Sequence, residues 1–126
     1  MNILLVEDHQ DTREILSKML SAWGHEVAIA QDLRGGLEYL GRNHVDAIVS
    51  DIALPDGTGY ALMSEARRAG MKGLGIAISA YPFPPDVNEP KVTGFDFHLN
   101  KPFTAPQLRS LLEREQKRAM DLAPAP

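Results

Sequence analysis

Five residues of this chain carry side chains suited to holding a divalent cation or handling a phosphoryl group: Glu7, Asp8, Asp51, Ser79 and Lys101. Asp51 is the most telling. It ends the apolar run VDAIVSD and is followed by Pro55, Gly57 and Gly59, residues expected to stop regular structure. A carboxylate at the lip of a buried strand is costly unless something pairs with it. Three carboxylates brought together repel one another and raise each other's pKa unless a cation sits among them. Hard oxygen donors favour Mg²⁺, which keeps part of its water shell and accepts a phosphate oxygen in it. A lysine and a hydroxyl alongside suit a phosphoryl group.

These residues are far apart in sequence, so the elements between them must do the gathering. Short apolar runs recur at Ile3 to Val6, Val27 to Ala30, Val45 to Val49, Leu74 to Ile78 and Phe95 to Leu99, and they read as five strands. Helical periods lie between them. Ile15, Leu16, Met19, Leu20 and Trp23 form one core stripe, opened by a capping-box spacing from Asp11 to Glu14 and closed by Gly24. Leu33, Leu37 and Leu40 mark a second helix, weakened by Gly35 and Gly36. Leu62, Met63 and Ala66 mark a third, with Thr58 as N-cap and Gly70 past its end, and Thr104 to Gln107 is a capping-box spacing before Leu108, Leu111 and Leu112. Almost wholly apolar strands alternating with helices imply a parallel sheet covered on both faces. In such sheets chemistry collects beyond the carboxyl ends of the strands. The strands end in VEDH, SD, ISA and LNKP, so the rule gathers all five residues at one edge.

Composition narrows the field. The 126 residues predict one domain over 1–118 with a disordered tail over 119–126. Hydrophobic residues make up 44% and charged ones 24%, as in ordinary globular proteins. The absence of cysteine excludes disulfides and thiolate metal sites and points to a reducing, cytoplasmic compartment. No apolar run approaches a membrane span, and residues 1–20 lack a signal-peptide pattern. A net charge of −4 without a Lys/Arg cluster gives no footprint for nucleic acid. His9, His25, His44 and His98 lack metal-ligand spacing and are expected as surface or half-buried residues, with contact between His9 and the acidic cluster left open.

LLVEDH, SDIALPDGTG, ISA and LNKPF, in this order and spacing, resemble the receiver domain of two-component response regulators over about residues 2–115. The GFDFHLNKPF ending and the AISAY turn resemble the receivers attached to hybrid sensor histidine kinases. The resemblance implies a flavodoxin-like, CheY-like α/β sandwich with strand order 2-1-3-4-5. Asp51 would then be the phosphoacceptor, attacking a phosphohistidine to form an acyl phosphate. Glu7, Asp8, Asp51 and the Ala53 carbonyl would hold Mg²⁺, Lys101 would neutralise phosphoryl oxygens, and Ser79 would bond the attached group. Pro102 is expected to follow a cis peptide. His98 stands where the family commonly has a Tyr or Phe that turns inward on activation, so an imidazole would replace the aromatic switch.

The domain would be a phosphorelay switch, not a turnover enzyme, catalysing only its own phosphorylation and dephosphorylation. A histidine kinase or phosphotransfer domain would be the donor. With no effector region after residue 115, the output is expected in another chain or a region outside this sequence. Two rival readings exist. A phosphatase of the haloacid dehalogenase class resembles D-x-D at its nucleophile, whereas here the residues are Asp51, Ile52 and Ala53. A pseudo-receiver would fold alike and never take phosphate. Within YPFPPDVNEPKVTG, four prolines withhold backbone donors, which predicts a fourth helix shortened to a turn or two between about Asp86 and Thr93.

Overall fold

A computed structural model describes residues 1–80 and 93–122. The shortened fourth helix expected at about residues 86–93 falls almost wholly on 81–92, outside the described residues. The chain runs β1 (Asn2–Val6), α1 (Gln10–Ala22), β2 (Glu26–Ala30), α2 (Leu33–Leu40), β3 (Ala47–Asp51), β4 (Ala53–Leu54), β5 (Gly57–Thr58), α3 (Gly59–Arg68), β6 (Leu74–Ser79), β7 (Phe97–Asn100) and α4 (Ala105–Leu122). Five parallel strands form one sheet in the order β2-β1-β3-β6-β7. Counting the long strands alone, this is the expected 2-1-3-4-5.

Alternation along the strands builds the core on both faces. Ile3 and Leu5 of β1 point with Val49 and Ile76 toward Leu16, Leu20 and Leu108 of α1 and α4. Leu4 and Val6 point with Ile48 and Ala77 toward Leu62 and Met63 of α3. β1 is buried from its second residue on, and all of β3 and β6 is buried, as central strands under two helical layers must be. No described helix is long and apolar enough to cross a membrane.

Several local expectations change. The Asp11–Glu14 capping box does not form: His9 is the N-cap of α1 and makes no side-chain cap bond, while Glu14 Oε1 accepts from Gln10 Nε2 at 3.2 Å. Ile15 is 60% exposed and stands outside the core stripe, because it lies off the Leu16–Leu20 line that faces the sheet. Past Asp51 the chain does not lose regular structure; β4 and β5 pair antiparallel across the turn at Pro55 and Asp56. Other signals hold. Thr58 Oγ1 caps α3 by accepting from Ala61 N at 3.2 Å. Thr104 N donates to Gln107 Oε1 at 2.8 Å and Gln107 N to Thr104 Oγ1 at 3.3 Å, a reciprocal capping box. Gly24 takes φ +92° just past α1, where a Cβ would strain the backbone.

Two polar devices bind elements together. Asp56, in the β4–β5 turn, accepts from Leu33 N at 2.7 Å and Arg34 N at 3.0 Å, so the orphan amides that open α2 are met from another segment. These bonds hold its carboxyl below the ordinary range. Arg67, in the last turn of α3, donates Nε to Gly94 O at 2.9 Å, Nη1 to Met71 O at 3.1 Å and Gly73 O at 2.7 Å, and Nη2 to Asp96 Oδ2 at 3.0 Å. Asp96 Oδ2 also accepts from Gly75 N at 2.8 Å, which seats the entry to β7 beside β6.

Candidate functional site

The carboxyl ends of β1, β3, β6 and β7 bring the five residues to one edge. β1 stops at Val6, and Glu7 and Asp8 lie in the turn before α1. Glu7 N donates to Ala30 O at 3.1 Å, which continues the ladder one step while its side chain is fully buried. Asp51 is the last residue of β3 and 5% exposed. Its Oδ1 accepts from Ala53 N at 3.2 Å. Gly59 packs against its main chain: a Cβ there would meet the Asp51 carbonyl oxygen at 2.5 Å, which explains the second glycine of the SDIALPDGTG stretch.

Lys101 answers the question of what pairs with Asp51. Its N–H donates to Ser79 O at 2.7 Å, and the Lys101–Pro102 bond is cis as expected. Its Nζ lies 3.0 Å from Asp51 Oδ2 and 3.3 Å from Glu7 Oε2. Ser79, 7% exposed, ends β6 one register step beyond Ile78, the partner of Asp51. His98 is opposite Ala77 on β7, half-buried and edge-to-face on Phe95 at 6.0 Å between centroids. It is not the fully solvated ring that a passive surface position predicts, and burial lowers its pKa.

The sequence reading missed Arg13. One turn into α1, its Nη1 donates to Glu7 O at 3.1 Å and Asp8 O at 3.3 Å, fixing the main chain that presents both carboxylates. The bond joins a side chain to main-chain oxygens, so no pattern of residue types announces it.

The Lys101 ammonium is paired with two of the three carboxylates, Glu7 and Asp51. Burial raises the Glu7 pKa, the Asp51 charge raises it further, and Lys101 only partly offsets them. Burial pulls the Lys101 pKa down, but the hydrogen bond to Asp51 and the charges of Glu7 and Asp51 outweigh it, leaving it raised. Asp8 Oδ1 is shut off from solvent and accepts no hydrogen bond. Ligand atoms of Glu7, Asp8, His9 and Asp51 all lie within 4.8 Å of one another. A crowded, under-neutralised oxygen set with an orphaned carboxylate oxygen fits a divalent cation.

A pH effect follows. Glu7's pKa is raised on folding, so its contribution to stability is fully present below the unfolded pKa and is lost as pH rises through the folded value. Without divalent cations, urea unfolding from pH 4 to 8 should show this loss. Glu7→Gln should flatten the slope and raise stability at pH 8; an unchanged slope would remove Glu7 as its source.

Comparison with known proteins agrees with this geometry. The family described as "Response regulator receiver domain" matches residues 3–113. The sensor histidine kinase RcsC of Escherichia coli is 30% identical over 112 residues, which are 89% of this chain and 12% of RcsC, so the chain spans about an eighth of that relative. A 14.6 kDa protein of the sodA1 3′ region of Leptolyngbya boryana is 33% identical over 90% of this chain and 88% of its own length. Among solved structures, the chemotaxis protein CheY4 of Vibrio cholerae is 28% identical with a TM-score of 0.82, covering 90% of this chain and 97% of that one. The chain belongs to the response regulator receiver domain family, the phosphoacceptor domains of two-component signalling.

Proposed function

We propose that Asp51 accepts the phosphoryl group. The observation that carries this is the convergence of the Asp51 and Glu7 carboxylates within 3.3 Å of the Lys101 ammonium at the carboxyl edge of the sheet. A carboxylate oxygen of Asp51 attacks phosphorus, the bond to the donor imidazole nitrogen breaks, and the electron pair leaves with that nitrogen. Lys101 Nζ, held by carboxylate oxygens before reaction, offers its charge to the transferred oxygens. The Ser79 hydroxyl, one step beyond Asp51 in the sheet, donates to the attached group. Glu7, Asp8, Asp51 and the Ala53 carbonyl would hold Mg²⁺, which would supply neutralisation of the charge gathered in the transfer. Arg13 acts as a positioning residue for the acidic pair.

The donor is a histidine kinase or phosphotransfer domain, the output a separate chain or attached domain, and the compartment the cytoplasm. The similarity to a sensor histidine kinase supports a receiver of the hybrid-kinase type, one that switches and does not turn over. Ala53 stands where a dehalogenase-type phosphatase would need its acid/base aspartate, which disfavours that reading. Incubation with acetyl phosphate and Mg²⁺ should add one phosphoryl group by intact mass, and EDTA should prevent it. No gain in mass would make the domain a pseudo-receiver.

His98 is the proposed switch position. Its edge-to-face packing on Phe95, in the core layer beneath α3, and its half-buried ring support coupling of β7 to that layer. Because its pKa is lowered in the fold, its stability contribution is present above the unfolded pKa and is lost as pH falls. Ring shifts of His98 from pH 5 to 8, with and without beryllofluoride and Mg²⁺, should differ in both shift and midpoint. If the mimic moves Ser79 and leaves His98 unchanged, His98 has no part in the switch.

A further inference from the structure

His9 alters the chemistry of the acidic cluster. Its backbone N donates to Glu7 Oε1 at 3.3 Å, and its Nδ1 lies 3.1 Å from the same oxygen and 3.3 Å from Asp8 Oδ1. That second distance lacks hydrogen-bond geometry, so Asp8 Oδ1 stays without a donor although an imidazole nitrogen faces it. The cluster is also divided. Lys101 occupies Glu7 Oε2 and Asp51 Oδ2 on one side, and the imidazole faces Glu7 Oε1 and Asp8 Oδ1 on the other. At metal–ligand distances of about 2.0–2.2 Å, opposite ligands of one ion stand about 4 Å apart. Four donor atoms within 4.8 Å of one another therefore need only small rotations to share an ion. The His9 side chain is 72% exposed and can supply that rotation at little packing cost.

We propose that His9 Nδ1 is a ligand of this cluster, making it a mixed nitrogen–oxygen site that takes a divalent transition ion such as Zn²⁺ or Ni²⁺ more tightly than Mg²⁺. The inference rests on the cluster being a divalent cation site. Imidazole suits Zn²⁺ and Ni²⁺, whereas Mg²⁺ prefers oxygen donors and retained water. The ion takes the place between Nδ1 and the carboxylate oxygens, with the neutral ring carrying its hydrogen on Nε2. Because Mg²⁺ would use the same carboxylates, the two ions exclude one another. His9 thereby becomes a residue that sets metal preference, a role at odds with the surface histidine its spacing suggests.

The test measures Zn²⁺, Ni²⁺ and Mg²⁺ binding by calorimetry for the protein and its His9→Ala and His9→Phe variants, in a His44→Ala background that removes the competing pair of His44 and Asp46 at 3.2 Å. Loss of a ligand should weaken Zn²⁺ and Ni²⁺ by about tenfold to a hundredfold, the scale at which even outer partners of a metal count. Mg²⁺ should change far less, and Zn²⁺ should compete with Mg²⁺. Nitrogen-resolved NMR should show the His9 Nδ1 resonance moving on Zn²⁺ addition. Zn²⁺ and Ni²⁺ affinities unchanged in both variants, or a His9 ring that does not respond, would overturn the proposal while leaving Mg²⁺ binding intact. Absence of binding by all three ions would instead remove the cation-site reading beneath it.

Discussion

Asp51→Asn should leave a folded domain that takes up no phosphoryl group. The amide has nearly the volume of the carboxylate, so a site that leaves Asp51 only 5% exposed keeps its packing. It has no anionic oxygen with which to attack phosphorus. Lys101 retains Glu7 Oε2 at 3.3 Å as a partner, and Glu7 loses the neighbouring charge that helps to raise its pKa. Circular dichroism should therefore show a native fold, while intact mass after acetyl phosphate and Mg²⁺ shows no addition. Label persisting at the level of the unaltered protein would move the acceptor to another carboxylate.

Arg67→Ala should cost the most stability of any single polar substitution discussed, about 2–4 kcal/mol on the scale of several hydrogen bonds made by one charged group. One guanidinium, 26% exposed, serves three carbonyls and the Asp96 carboxylate. Alanine takes this donor from the three carbonyls, while Asp96 Oδ2 keeps Gly75 N at 2.8 Å. Arg67→Lys should recover only part of the loss, because a point-like ammonium cannot reach carbonyls on both the Met71–Gly73 turn and Gly94 as the planar fork does. Phosphorylation should persist in both variants, since Lys101 is still tied to Ser79 O at 2.7 Å. Urea midpoints within about 0.5 kcal/mol of the parent would show that water replaces the fork without loss.

The fold and the site were legible in the sequence to different depths. Strand runs of Leu, Ile and Val with no polar alternation announced a sheet covered on both faces, and the carboxyl-end rule then placed Glu7, Asp8, Asp51, Ser79 and Lys101 together before any distance was known. Thr58 and the Thr104–Gln107 pair announced two helix starts because their partners lie three residues away. What failed was also local: Asp11 and Glu14 have the right spacing, yet Glu14 turns to Gln10, and the chain enters α1 at His9. Arg13, Asp56 and Arg67 were invisible for a different reason. Each bonds mainly to main-chain atoms, and main-chain atoms have no signature in a list of side chains.

The bonds of Asp56 have a mechanical consequence. The β4–β5 hairpin leaves directly from Asp51, and its turn grips the first amides of α2 at 2.7 and 3.0 Å. A displacement of the hairpin pulls on the first two amides of α2 through these bonds, while Asp32, the N-cap of the helix, keeps its own bond from Gly35 N at 2.7 Å. The flank of the domain formed by α2 and edge strand β2, at the opposite edge of the sheet from β7, is thus tied to Asp51 through the short hairpin whose turn carries Asp56.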